Sequence, residues 1–163
     1  MNRLSHNELI GAVALQSALE NSLNQQLSLA KSMLVLPLLF DKTVRAVLKN
    51  RNSVVLSSKD LLISKPSAFI TVRARYEALA ITSLNTILLA QELGMAALVD
   101  DGLVLKKKIF FQSQSDIGKF AKDILTASIA FDVYFISSAE ARSVMIRSPL
   151  RGSWSSSKRS IAF

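Results

Sequence analysis

The chain has 163 residues, a formal net charge of +8, no Cys and one His, which is the size of one domain with a core of its own. Half of its residues are apolar and only five are Gly and three Pro, which excludes a disordered chain and argues against a loop-rich or β-sandwich fold. Without Cys there is no disulfide, thiolate zinc site or Cys nucleophile, and one His supports neither a histidine metal cluster nor a His-based relay; the composition points to a basic, mainly helical, non-enzymatic domain without a cofactor.

The first element opens on a capping box, Ser5 with Glu8. Leu9, Ala12, Val13, Leu15, Leu19, Leu23, Leu27 and Ala30 then recur at three- and four-residue steps, predicting one long helix over roughly 6–31. Its other face is Asn, Gln and Ser, less committed to water than Lys and Glu would be. His6 reads as an exposed first-turn residue. The second element is MLVLPLLFDKTVRAVLKN, with Pro37 placed in a first turn, Leu38, Leu39, Phe40, Val44, Val47 and Leu48 inward, and Arg45 and Lys49 near the C-terminus. Ser57 or Ser58 caps a short helix through Ile63. Pro66 restarts the chain into a long helix carrying Phe69, Val72, Tyr76, Leu79, Ile87 and Leu88, with a break expected near 81–85 and a stop at Gly94.

Residues 95–111 are two apolar runs around Asp101–Gly102, a hairpin signal. Lys106, Lys107 and Lys108 are expected on its second strand. Ser115 or Asp116 caps a helix carrying Ile117, Phe120, Ile124 and Leu125, with Gly118 inside it. Residues 129–136 extend that helix or start another, and a last helical segment is expected over 139–146. The tail 151–163 is Ser-rich and lacks periodicity, which predicts disorder unless a partner orders it. Residues 141–163 hold Arg142, Arg147, Arg151, Lys158 and Arg159 and no acid. The fold class expected is mainly α: a helical domain over 1–150 with a winged-helix-like β-hairpin at about 95–111, the helix before it in the recognition-helix position. The alternative is a structural flap on a helical bundle.

Mean hydropathy is +0.31, yet no window of about 18 residues is free of charge or dense polar content. Glu20 and the Asn/Gln run after it, Thr82 to Thr86, and Asp132 interrupt the apolar stretches. The N-terminus lacks a continuous apolar signal-type segment. The expectation is a cytoplasmic chain with no membrane partner, whose apolar excess is buried against protein.

The segments ELIGAVALQSAL, MLVLPLLFDKTVRAVLKN, RARYEALAITSLNTILLAQELGMAALVDDGLVL and SDIGKFAKDILTASIAF, in this order, resemble the small middle component of three-component ABC-ATPase systems, the Lamassu-type anti-phage defence systems of bacteria. One carrying piece is Leu36, Pro37, Leu38, Leu39, Phe40, Thr43 and Arg45. Another is Arg75, Ala78, Leu79, Gly94, Leu98, Asp101, Gly102 and Leu103, and the last is Ile117 to Phe120. The likeness spans roughly 8–130, and neither 53–70 nor the basic tail has a counterpart. It implies an adaptor that binds an SMC/Rad50-like ATPase subunit, helps sense foreign DNA, and restrains an effector subunit, often a nuclease.

Lys106, Lys107 and Lys108 are candidates for contacts to the backbone of duplex DNA, or a solvated edge strand that Lys keeps from pairing. Arg73 and Arg75 form a second candidate basic surface or a plain solvated helix face. Lys158 and Arg159 join the nucleic-acid candidates, with Trp154 beside them as a stacking or partner-docking residue. Phe110 and Phe111 are neighbours on an extended segment, so one faces the core and the other marks a partner contact. Leu88 and Leu89 are candidate partner contacts. Asp100, Asp101, Glu77 and Glu92 are unaccompanied by a nucleophile, phosphate loop or metal spacing. The helix 78–94 is nearly all apolar, favouring protein contact over groove reading. The competing readings are a free-standing winged-helix DNA-binding regulator and a small helical protein that binds only protein.

Overall fold

In a computed structural model, the structure describes residues 7–49, 63, 66–111 and 118–135, with side chains up to Ile129. The Ser5 cap, His6, the 57–63 helix, the Ser115/Asp116 cap, the 139–146 segment and the tail with Trp154, Lys158 and Arg159 lie outside the described residues, as do the side chains of Phe131, Tyr134 and Phe135.

Helix α1 runs Glu8–Glu20, and its N-cap is Asn7, whose side chain accepts from Leu9 N at 2.9 Å and Ile10 N at 3.2 Å. The expected helix over 6–31 is therefore broken. Asn21 Nδ2 and Ser22 Oγ donate to the carbonyls of Ser17 and Leu19, ending the helix. Asn24 and Gln25 then take positive φ, 55° each, within a 3₁₀ turn over Leu23–Gln25. Gln26–Ser28 forms strand β1. Leu23, Leu27 and Ala30 keep a helical spacing, but a polar Asn/Gln run that bonds locally competes with the helix.

Ser28 caps α2, Leu29–Leu39, accepting from Lys31 N. Pro37 thus lies in the last turn of α2 rather than in a first turn. Asp41 then caps α3, Lys42–Lys49: its Oδ1 accepts from Val44 N at 2.6 Å. The long helix expected from Pro66 is two: helix α4, Pro66–Phe69, starts on Pro66, and a turn at Ile70 and Thr71 separates it from the next. Helix α5, Val72–Glu92, is continuous through 81–85, because tertiary packing of Thr82, Ser83 and Thr86 overrides their weak propensity. It closes in a Schellman motif: Gly94 sits at φ 65°, Gly94 N donates to Gln91 O and Met95 N to Ala90 O, both at 2.9 Å.

Strands β2, Ala96–Val99, and β3, Gly102–Leu105, form the hairpin. Its two turn residues are Asp100 and Asp101, since Val99 pairs Gly102. Asp100 supplies the positive φ of 51°, and Gly102 is a strand residue over which the exposed Gln26 side chain lies, so that a Cβ there would push that side chain aside. β1 pairs the far side of β3, giving a three-stranded antiparallel sheet of order β1-β3-β2. The hairpin expected over about 95–111 is present within a mainly helical fold, and β1, which lies where a helix was expected, adds a third strand to it. Helix α6, Gly118–Phe135, begins at Gly118, which has φ 76° and is not interior.

The core joins Leu15, Leu19, Leu36, Leu39, Leu103 and Ile124 from α1, α2, β3 and α6. Gly11 lets α1 approach α5: a Cβ there would run into the Thr86 side chain and Leu36. On the far side of α1, the Ser17 and Ser128 hydroxyls bond to each other in the α1–α6 interface.

Between α3 and α6, Arg45 is buried, donates to Leu39 O at 2.7 Å and lies 4.8 Å over the Phe120 ring. Burial lowers its pKa, with Asp123 opposing. Beside it Lys49 Nζ meets Asp123 Oδ1 at 2.6 Å. That hydrogen bond, ahead of opposing desolvation and the attraction of Lys49, Arg45 and Lys119, holds the Asp123 carboxyl below its ordinary 3.8. A carboxyl lowered by folding contributes stability above its unfolded pKa and loses it as pH falls through the folded value. Lys49→Met is expected to return the Asp123 carboxyl toward 3.8 in an NMR titration. The stability change is expected to be small, because both side chains are more than a third exposed.

Candidate protein-interaction face

Helix α5 runs directly into the hairpin, and it carries aliphatic side chains on its outward side as well as on its buried one. The side against the domain buries Leu79, Thr82, Ser83, Thr86, Ile87 and Ala90. Small hydroxyl side chains suit close packing on Gly11 of α1, and Thr86 Oγ1 is satisfied by Thr82 O at 2.7 Å. The outward side presents Ile81, 76% exposed, with Leu84 at 49% and Leu88 at 50%. These three stand at i, i+3 and i+7, one ridge along the helix in the spacing of a helix–helix seam. Exposed Ala74 and Ala78 extend it toward the N-terminus. Solvated helix faces carry charge; here Arg73, Glu77, Asn85 and Glu92 are the charged and amide members of the outward side, and only Asn85 lies between Ile81 and Leu88. Of the two leucine candidates, Leu88 is on this ridge, while Leu89 is half-buried against the core.

Among the described residues the candidate cations lie on separate elements, Arg73 and Arg75 on α5 and the three lysines after β3. Arg73 is exposed and holds Glu77 at 3.2 Å one turn along. Arg75 is a structural residue: its guanidinium pairs with Asp41, which is only 4% exposed. Lys106, Lys107 and Lys108 lie beyond the end of β3 rather than on it. Lys106 N and Lys107 N both donate to Met95 O, at 2.8 and 3.1 Å, a two-against-one arrangement that breaks the strand alternation. All three are therefore exposed, at the base of the hairpin and not at its tip. Lys108 is 3.4 Å from Glu20, and the tip is Asp100 and Asp101.

Beyond the lysines, the chain is held by a residue no motif singled out. Gln16, buried on α1, accepts from Ile109 N at 2.8 Å and Phe110 N at 2.9 Å. Its Nε2 donates to Phe110 O at 2.7 Å and to Glu20 Oε1 at 2.6 Å. One amide side chain thus acts as a strand partner for 109–110. It turns Phe110 into the core and leaves Phe111 about half exposed, the division expected of this pair. A groove of about 310 Å³ lies here, lined by Gln16, Glu20, Lys108, Phe111, Leu125 and Ile129 among others.

Among the described residues no group of three His, Asp or Glu can hold a metal ion, and no helix is long and apolar enough to cross a membrane. No protein-family model, curated protein or solved structure matches the chain.

Proposed function

We propose that the chain is a non-catalytic adaptor subunit of an SMC/Rad50-like ABC-ATPase complex of the Lamassu anti-phage and anti-plasmid type, docking on the ATPase through the outward ridge of α5. The observation that carries this reading is the open aliphatic ridge of α5: Ile81, Leu84 and Leu88 are exposed although the side of the helix packed on the domain already buries Leu79 and Ile87. Covering an apolar ridge is favourable in proportion to the area removed from water, and its seam spacing fits a helix of the partner. The family resemblance supplies the identity of that partner and of the effector subunit the complex controls.

The topology favours a second reading, a free-standing winged-helix DNA-binding regulator. A helix that reads bases needs side chains that hydrogen-bond base edges, and a wing that grips a duplex needs cations at its tip. Here the ridge is aliphatic and the tip holds Asp100 and Asp101. Any DNA contact is then to backbone phosphates through Lys106 and Lys107 at the hairpin base, weak and salt-sensitive.

Co-expression of the tagged full chain with the neighbouring ATPase gene tests this. The wild-type chain is expected to retain the ATPase. Ile81→Ser, Leu84→Ser and Leu88→Ser together are expected to reduce retention at least tenfold while the chain keeps its helical circular dichroism, because these side chains are about half exposed or more and lie outside the core. A homodimer that ignores the ATPase and binds duplex DNA, less tightly as salt rises, would leave only the regulator.

A further inference from the structure

We propose that the recess beside the hairpin tip is the docking site for the chain's own C-terminal segment, residues 158–163. The recess, about 420 Å³, is lined by Ser28, Leu29, Ala30, Leu98, Asp100 and Asp101. It is an apolar hollow with an acidic rim. Leu29 and Leu98 are both partly open to solvent. The rim is rigid, because Leu29 N donates to Asp101 O at 3.0 Å, tying the start of α2 to the turn.

The acids on this rim are uncommitted. Among the described residues, Asp41, Glu77, Glu20 and Asp123 each hold a cation, to Arg75, Arg73, Lys108 and Lys49. Asp100 and Asp101 hold none, and they are the only two adjacent acids in the sequence. The occupant must therefore carry cations next to apolar side chains. The segment Lys158-Arg159-Ser160-Ile161-Ala162-Phe163 has that composition: two cations for the two carboxylates, then Ile161 and Phe163 for Leu29 and Leu98. The tether reaches. Residues 136–157 span up to roughly 70 Å extended, against a radius of gyration of about 14 Å for a domain of this size. Because the segment belongs to the same chain, docking is intramolecular and needs less intrinsic affinity than a separate partner would. This docking is independent of the α5 ridge and of the ATPase reading.

Zero-length carbodiimide coupling on the purified full chain tests it. The expected product is an amide between Lys158 Nζ and Asp100 or Asp101, found by mass spectrometry in the monomer band. Its yield is expected to fall at least fivefold between about 20 and 500 mM salt, as exposed pairs are screened. It is expected to fall as far in Ile161→Ser with Phe163→Ser, which keeps both charges, and to vanish in Asp100→Asn with Asp101→Asn, where Asn tolerates the positive φ of position 100. Trp154, the single Trp, gives a second readout: its anisotropy is expected to drop in the same variants. A Lys158 cross-link confined to the dimer band would assign the recess to a second copy. Coupling of Lys158 to Glu92 or Glu8 with equal yield, or an anisotropy indifferent to the variants, would equally overturn the proposal.

Discussion

Gln16→Leu is expected to lower the stability of the domain by about 2–4 kcal/mol, the largest effect of any single polar substitution in it. Leu keeps the volume and the helix propensity of the site, so the loss isolates the amide. Two N–H groups and one carbonyl of residues 109–110 lose their partner, and each such group left in a partly buried place costs about 1–3 kcal/mol. Water reaching the half-buried segment returns some of that. For a chain of this length the loss corresponds to a fall in Tm of roughly 4–16 °C. Gln16→Glu is expected to fall at least as far: it still accepts both N–H bonds, but it cannot donate to Phe110 O and it buries a second carboxylate beside Glu20. Thermal unfolding of the two variants, with hydrogen exchange at the Ile109 and Phe110 amides, checks this. A Gln16→Leu chain with unchanged Tm and unchanged protection at those amides would show that the clamp is dispensable.

The second large effect is at Asp41, where one carboxylate does two things: Oδ1 caps α3 and Oδ2 pairs with Arg75 of α5. Asp41→Ala is expected to cost about 2–3 kcal/mol. About 0.5–2 of this is the cap, and the rest is an arginine left without its buried partner. The Arg75 side chain is about a third exposed, so water compensates part of its charge and the pair contributes less than a buried one. Asp41→Asn keeps a good cap and loses only the pair, so it is expected to cost about 1 kcal/mol. Chemical denaturation of Asp41→Ala, Asp41→Asn and Arg75→Met separates the two roles. If Asp41→Asn cost as much as Asp41→Ala, the cap would contribute nothing.

Both of these residues were poorly marked in the sequence, for identifiable reasons. Asp41 had the local sign of an N-cap, an Asp ahead of an amphipathic run. It was obscured by placing Pro37 at a helix start when Ser28 starts that helix nine positions earlier. Gln16 makes its bonds to residues more than ninety positions away, which no local pattern encodes. The one available hint was that the polar face of α1 is amide and hydroxyl rather than charge, and Gln16 and Ser17 are indeed buried. The hairpin, the Gly94 stop and the inward–outward split of Phe110 and Phe111 were legible because each depends on neighbours in the chain. Strand β1 was not, since its leucines keep a helical period and only pairing with β3 makes it a strand. The ridge on α5 was half legible. A helix apolar on nearly every side announces burial against something, but only the packing of α1 and α2 on α5 decides which side is left open.

The central claim is that this open side meets protein. The most direct measurement places a photoreactive phenylalanine analogue at position 84 in the full chain, with position 106 as the control, and irradiates the chain with the proposed ATPase partner and duplex DNA present together. Cross-linking from position 84 to the ATPase, and not from position 106, is the predicted result. Cross-linking from position 84 to duplex DNA, or to nothing while the ATPase is bound elsewhere, would contradict it.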